Sequence, residues 1–131
     1  GISDILLQKQ KVMDVAHCYN KNLSIITAGK VPPNPAEMLA SKAMTAFLKE
    51  MKEHFDYIVL DTPPVQAVAD AQILSTKVDG TLVVVRAGVT KKDEVQNTVN
   101  TLKKVNADII GTILHAVDNT RNKYQYYYGN E

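Results

Sequence analysis

Four short apolar runs limit what this chain can fold into: LSIITAG (Leu23 to Gly29), YIVLD (Tyr57 to Asp61), TLVVVRAG (Thr81 to Gly88) and IIGTIL (Ile109 to Leu114). They are rich in β-branched residues and lack clean polar–apolar alternation. Strands buried on both faces, as in a parallel sheet, read this way. Helical stretches separate them. The clearest is NPAEMLASKAMTAFLKEMKEHF, with Asn34 as cap, Pro35 at the first helical position and Glu37 where a capping box places it. Ala36, Leu39, Ala43, Phe47 and Met51 then recur at helical spacing as one apolar face. DAQILSTK, capped by Asp70, is a second helix, and KKDEVQNTVNTLKKVN a third, with Val95, Val99, Leu102 and Val105 as its stripe. The segment from Gly1 to Asn22 reads as one or two short helices. The alternation predicts an α/β fold, a three-layer doubly wound parallel sheet joined by right-handed crossovers.

At 131 residues, the chain is long enough for one domain with a real core. Its formal net charge of +1 creates no global field that would require nucleic acid or an anionic membrane. The single cysteine, Cys18, excludes an internal disulfide and fits a reducing compartment. No apolar run approaches the roughly 20 residues of a bilayer-spanning helix. The opening GISDILLQKQKVMD turns polar too early for a signal peptide. Any membrane link therefore comes through a partner or a further segment.

Ligands of open α/β sheets bind outside the carboxyl ends of the strands. FDYIVLDTPP is the most informative stretch there. Pro63 and Pro64 cannot continue a central strand, which leaves Asp61 at the ligand edge. An apolar strand ending in Asp has the form of a Walker B element, whose carboxylate organises Mg²⁺. The alternative is an Asp that merely caps the turn. TAGK does not complete a phosphate loop: the earlier glycine is replaced by Ser24, and Val31 stands where Ser or Thr is required. His17, His54 and His115 lack metal-ligand spacing, and no nucleophile motif is present. Lys91, Lys92, Lys103 and Lys104 read as a solvated helix face.

The succession TAGKVPPNPAEMLASKAM, FDYIVLDTPPVQAVADAQIL, DGTLVVVRAGVT and IIGTILHAVD, closed by a tyrosine-rich end, resembles the bacterial tyrosine kinases of polysaccharide export. These are P-loop NTPase-like proteins related to the MinD/ParA ATPases. The resemblance spans nearly the whole chain, and GISDIL matches the segment after the family's second catalytic strand. It implies a P-loop NTPase-like domain truncated before its Walker A segment. Residues 1–114 would be the carboxyl-terminal portion of a kinase domain, and 115–131 a flexible tail. Asp61 matches the Walker B aspartate that would organise Mg²⁺ and ATP. His115 stands where the family usually has an Asn that helps recognise adenine. Imidazole can still stack or make one hydrogen bond, but the amide's paired donor and acceptor are gone.

Four of the six tyrosines, Tyr124, Tyr126, Tyr127 and Tyr128, fall at the carboxyl end. They match the family's autophosphorylated cluster. Composition favours a disordered tail over a packed edge strand, and an oligomer contact is a third option. From His115 to Tyr124, an extended chain spans at most about 33–36 Å, enough to reach a ligand edge of its own copy or a neighbour.

The leading expectation is an ATP- and Mg²⁺-dependent tyrosine autokinase regulating capsular or exopolysaccharide synthesis, cytoplasmic and peripheral at the inner face of the membrane. The resemblance implies a transmembrane activator or adaptor, a tyrosine phosphatase and homo-oligomerisation, and no nucleic acid. The chain by itself, lacking Walker A, should be inactive. The competing expectation is an interaction module that presents tyrosines to an active kinase and a phosphatase. A MinD/ParA-like ATPase without kinase activity is disfavoured by the tail.

Overall fold

A computed structural model describes residues 1–118; the four tail tyrosines lie outside the described residues. The chain divides into two compact units, Gly1–Lys77 and the part from Val78 onward.

The first unit opens with α1 (Ile2–Leu6) and α2 (Val12–Val15), followed by β1 (His17–Asn20) and β2 (Leu23–Ile25). The two short helices follow the sequence reading, but β1 does not. LSIITAG does not enter a parallel sheet here either: β2 pairs antiparallel with β1. The cause is local turn chemistry. Asn20 and Asn22 bracket the reversal, and the Asn22 amide donates to the Asn20 side-chain oxygen at 2.8 Å. β-Branched residues marked a strand without specifying its partner.

The long helix is broken in two, α3 (Pro35–Ala40) and α4 (Lys42–His54). Ser41 causes the break. Its backbone is extended (φ −64°, ψ 161°), and its hydroxyl accepts from the Met44 amide at 3.2 Å, so it caps α4. The same hydroxyl donates to the Met38 carbonyl at 2.6 Å, tying off α3. Pro35 does occupy the start of α3, but the Asn34 side chain caps no backbone amide and donates instead to the Glu37 carboxylate at 2.8 Å. α4 buries Met44, Phe47, Leu48 and Met51, which pack with Leu6 and Leu74 into one core. Leu74 comes from α5 (Asp70–Ser75), where Asp70 is the first helical residue and Ala69 holds the cap position.

YIVLD forms no sheet pairing among the described residues. Burial still alternates along it. Ile58 and Leu60 pack against the α4 core, while Tyr57 and Val59 are about nine-tenths exposed, at 90% and 89%. The segment thus has a side-chain anchor on the helices but no strand partner.

The second unit is a βαβ element: β3 (Thr81–Arg86), α6 (Lys92–Lys104) and β4 (Ile109–His115). β3 and β4 pair in parallel, from Thr81 opposite Ile109 to Arg86 opposite His115. The α6 stripe holds: Leu102 is fully buried, and Val95, Val99 and Val105 are half-buried. The Lys91 amide donates to the Glu94 carboxylate at 2.8 Å and starts the helix. Asn106, at φ 57°, ends it. The Ala107 amide reaches the Leu102 carbonyl at 3.1 Å and the Asn106 amide the Lys103 carbonyl at 3.0 Å, the two bonds of a Schellman stop. The two strands are not buried on both faces. Val83 is buried, but Leu82, Val84, Ile110 and Leu114 are exposed.

Two substitutions test this account in urea unfolding. Leu102→Ala should cost about 2–5 kcal/mol, because a fully buried side chain leaves a cavity. Ser41→Ala should cost about 1 kcal/mol through loss of the α4 cap.

Candidate functional site

Asp61 ends the extended YIVLD segment in the first unit, and its side chain is exposed. The next residues explain why it has no capping partner among the described residues. An Asp that caps its own turn accepts from an amide two or three residues on. Those positions are Pro63 and Pro64, which have no N–H. The chain turns slightly later, where the Ala67 amide donates to the Pro64 carbonyl at 2.9 Å. Asp61 therefore does not cap this turn, which removes the structural alternative raised from the sequence. Its carboxylate stands in solvent.

That donor set can be tested against a divalent ion. No group of three or more His, Cys, Asp or Glu side chains converges among the described residues. A metal caged by protein alone has no place there. One exposed carboxylate does fit Mg²⁺ that keeps several waters and takes phosphate oxygens from a nucleotide. Asp61 can be the protein's contribution to such an ion.

Lys30, in the TAGK loop, is exposed. The neighbouring glycine has a packing explanation. Gly29 sits at φ +80°, and a Cβ there would lie 2.5 Å from the Ser3 hydroxyl oxygen. The Ile2 and Ser3 amides donate to the Thr27 and Ala28 carbonyls at 2.8 and 3.2 Å. This loop receives the start of α1 and presents no cradle for phosphate.

His115 is the last residue of β4 and is exposed, at the carboxyl edge of the parallel pair in the second unit. Its carbonyl accepts from the Ala87 amide at 2.9 Å, leaving the ring outside the strand pairing. Directly across the register lies Arg86, which the sequence reading passed over. The signal was available: Arg86 is the first charged residue after an apolar strand, the same placement that singled out Asp61. Beyond it the Arg86 amide donates to the Thr90 hydroxyl at 3.0 Å, closing a turn through Gly88 at φ 71°. A cation and an imidazole thus share one strand edge, the position where α/β sheets hold ligands.

The fold class has clear counterparts. The kinase domain of the Escherichia coli tyrosine kinase Etk superimposes with a TM-score of 0.86 at 34% identity, covering 99% of this chain and 51% of that one. Tyrosine-protein kinase YwqD of Bacillus subtilis is 35% identical over 130 residues, 98% of this chain and 55% of the relative. Tyrosine-protein kinase CpsD of Streptococcus pneumoniae is 36% identical over 104 residues, 79% of this chain and 46% of the relative. No protein-family model matches the chain. It has the α/β, P-loop-type fold of these kinase domains. The chain belongs with the bacterial tyrosine-protein kinases, and it spans about half the length of YwqD and CpsD. Among the described residues, no helix is long and apolar enough to cross a membrane.

Because Asp61 is exposed, Asp61→Asn should shift the urea unfolding free energy by less than about 0.5 kcal/mol. A larger loss would assign the carboxylate a role in holding the fold.

Proposed function

We propose that this chain forms the metal-organising and acceptor part of an ATP-dependent protein-tyrosine autokinase that regulates capsular or exopolysaccharide synthesis. The observation that carries the reading is Asp61, an exposed carboxylate without a capping role at the end of an apolar segment, in a chain with the fold of tyrosine-kinase domains. Asp61 would hold Mg²⁺, which supplies charge neutralisation on the ATP phosphates. Tyr124, Tyr126, Tyr127 and Tyr128 are the acceptors. In the transfer, a phenolic oxygen forms a new bond to the γ-phosphorus, ADP leaves with the bridging oxygen, and the phenolic proton passes to solvent. His115 is the adenine contact, by stacking or by a single hydrogen bond.

The regulatory logic is electrostatic. Each phosphate adds about −1.5 to −2 charge. Several within one short tail repel each other and any site already holding nucleotide phosphates. A transmembrane adaptor would hold the kinase at the inner face of the membrane, copies would assemble so that one tail reaches another's site, and a phosphatase would reset the tail. The link to polysaccharide synthesis, the adaptor and the phosphatase rest on the sequence resemblance. A second reading is a scaffold that presents tyrosines to another kinase and a phosphatase.

Labelling with Mg²⁺ and radioactive ATP separates the two. The gene product that carries this chain should gain phosphotyrosine, and changing all four tail tyrosines to Phe should abolish it. Asp61→Asn should lower incorporation about 100-fold or more, the scale of losing one transition-state charge stabiliser. The 131-residue chain by itself should incorporate none. Labelling that Asp61→Asn leaves intact would remove the carboxylate from the mechanism. Labelling that appears only when a separate active kinase is added would favour the scaffold.

A further inference from the structure

We propose that a shallow basic groove on the first unit, between α4 and the end of α5, binds a phosphorylated tyrosine side chain. Its intended occupant is the chain's own tail once phosphorylated, from the same or a second copy. The proposal rests on the kinase reading for the source of that phosphate.

The groove is open to solvent, lined by Thr45, Leu48, Lys49, Lys52, Thr76 and Lys77, and offers about 430 Å³. Pockets for small organic groups begin at about 300 Å³, so one phenyl phosphate fits. The α4 residues fall at positions 45, 48, 49 and 52, which places them on one helix face. Glu50 and Glu53 of the same helix do not line the groove. It therefore has three ammonium groups and no carboxylate, although acids and bases are nearly balanced in the chain, 14 against 15. Lys77 is held in place: its ammonium donates to the Thr45 hydroxyl at 2.8 Å. The Thr76 hydroxyl is committed to the Ile73 carbonyl at 2.7 Å. An ammonium carries a full charge and three N–H donors where a hydroxyl has one, so the lysines are the anion-binding elements. Leu48 is buried and forms an apolar floor.

Charge separates the two states of the tail. Residues 119–131 carry Arg121, Lys123 and Glu131 as their charged side chains. An unmodified tail has no net attraction to three lysines. One phosphate of about −1.5 to −2 reverses its sign, and the aromatic ring suits an apolar floor. Lysine ammonium groups bind phosphate as point charges and require no fixed fork geometry. The groove therefore distinguishes phosphorylated from unphosphorylated tail, and occupancy keeps a used acceptor away from further transfer.

The test is fluorescence anisotropy with synthetic peptides of residues 119–131 and the whole chain. The peptide phosphorylated at Tyr127 should bind at least about tenfold more tightly than the unmodified one, and added salt should weaken it. Lys49→Gln/Lys52→Gln, shown to be folded by its urea transition, should cost about tenfold, while Lys103→Gln/Lys104→Gln, on α6, should change nothing. Equal binding of the two peptides would overturn the proposal, as would full affinity in the Lys49/Lys52 double variant. Inorganic phosphate that binds as tightly as the phosphopeptide would reduce the groove to a bare anion site. Capture by phosphatidylserine vesicles that the phosphopeptide does not displace would make it a membrane surface instead. Both results overturn the tyrosine assignment. Because the peptide is phosphorylated by synthesis, its binding is independent of catalysis. Failed ATP labelling with intact peptide binding would sink the kinase reading alone, and the converse would sink the groove alone.

Discussion

The buried face of α4 is the constraint on which the first unit depends. Met44, Phe47, Leu48 and Met51 form the floor on which α1, α5 and the extended YIVLD segment rest. Ile58 and Leu60 are the only apolar side chains of YIVLD that reach this floor, and they fix the direction in which the next residue emerges. The side-chain period of extended backbone is two, so anchoring positions 58 and 60 fixes the phase of the whole segment. Asp61 then follows an anchored residue, and the two prolines deny it the amides two and three residues on. A carboxylate placed without an internal partner is a poor stabilising element and a good external ligand. The helix core thus positions the candidate chemistry without touching it.

Much of this was legible in the sequence, and the failures have physical causes. The helix stripes were correct because 3.6-residue periodicity is local. Val95, Val99 and Leu102 needed no knowledge of partners. The Ser41 break was missed because Pro35 and Glu37 gave such a strong start signal that a second cap six residues on was read as helix interior. A Ser followed by an amphipathic run is itself a start signal. Strand partners were harder. The run from Leu23 has the composition of a parallel strand, yet its pairing was decided by Asn20 and Asn22 before it. β-Propensity reports fit to a pleated surface and says nothing about which surface.

The candidate site divides the same way. Asp61 was singled out because strand-end positions are visible once strands are marked, and His115 only through the family resemblance. Arg86 satisfied the same rule and was overlooked because no motif drew attention to it. The groove on α4 could not have been read at all. Lys49 and Lys52 look like an ordinary solvated face until Lys77, 25 residues beyond Lys52, is brought across to Thr45. Only tertiary packing turns dispersed lysines into a concave cation cluster.

The exposed apolar positions pull the argument together. Tyr57 and Val59 on one extended segment, and Leu82, Val84, Ile110 and Leu114 on the parallel pair, each recur at the two-residue period of a sheet face. Apolar surface costs roughly 25 cal/mol per Å² when left in water. Such a pattern on extended backbone is also the template on which further strands pair. The expectation of strands buried on both faces is not met among the described residues: these side chains are β-branched, aliphatic or aromatic, yet they are exposed. Ser41 caps α4, whose face carries the core of the first unit, whereas YIVLD, which ends in Asp61, forms no sheet pairing among the described residues.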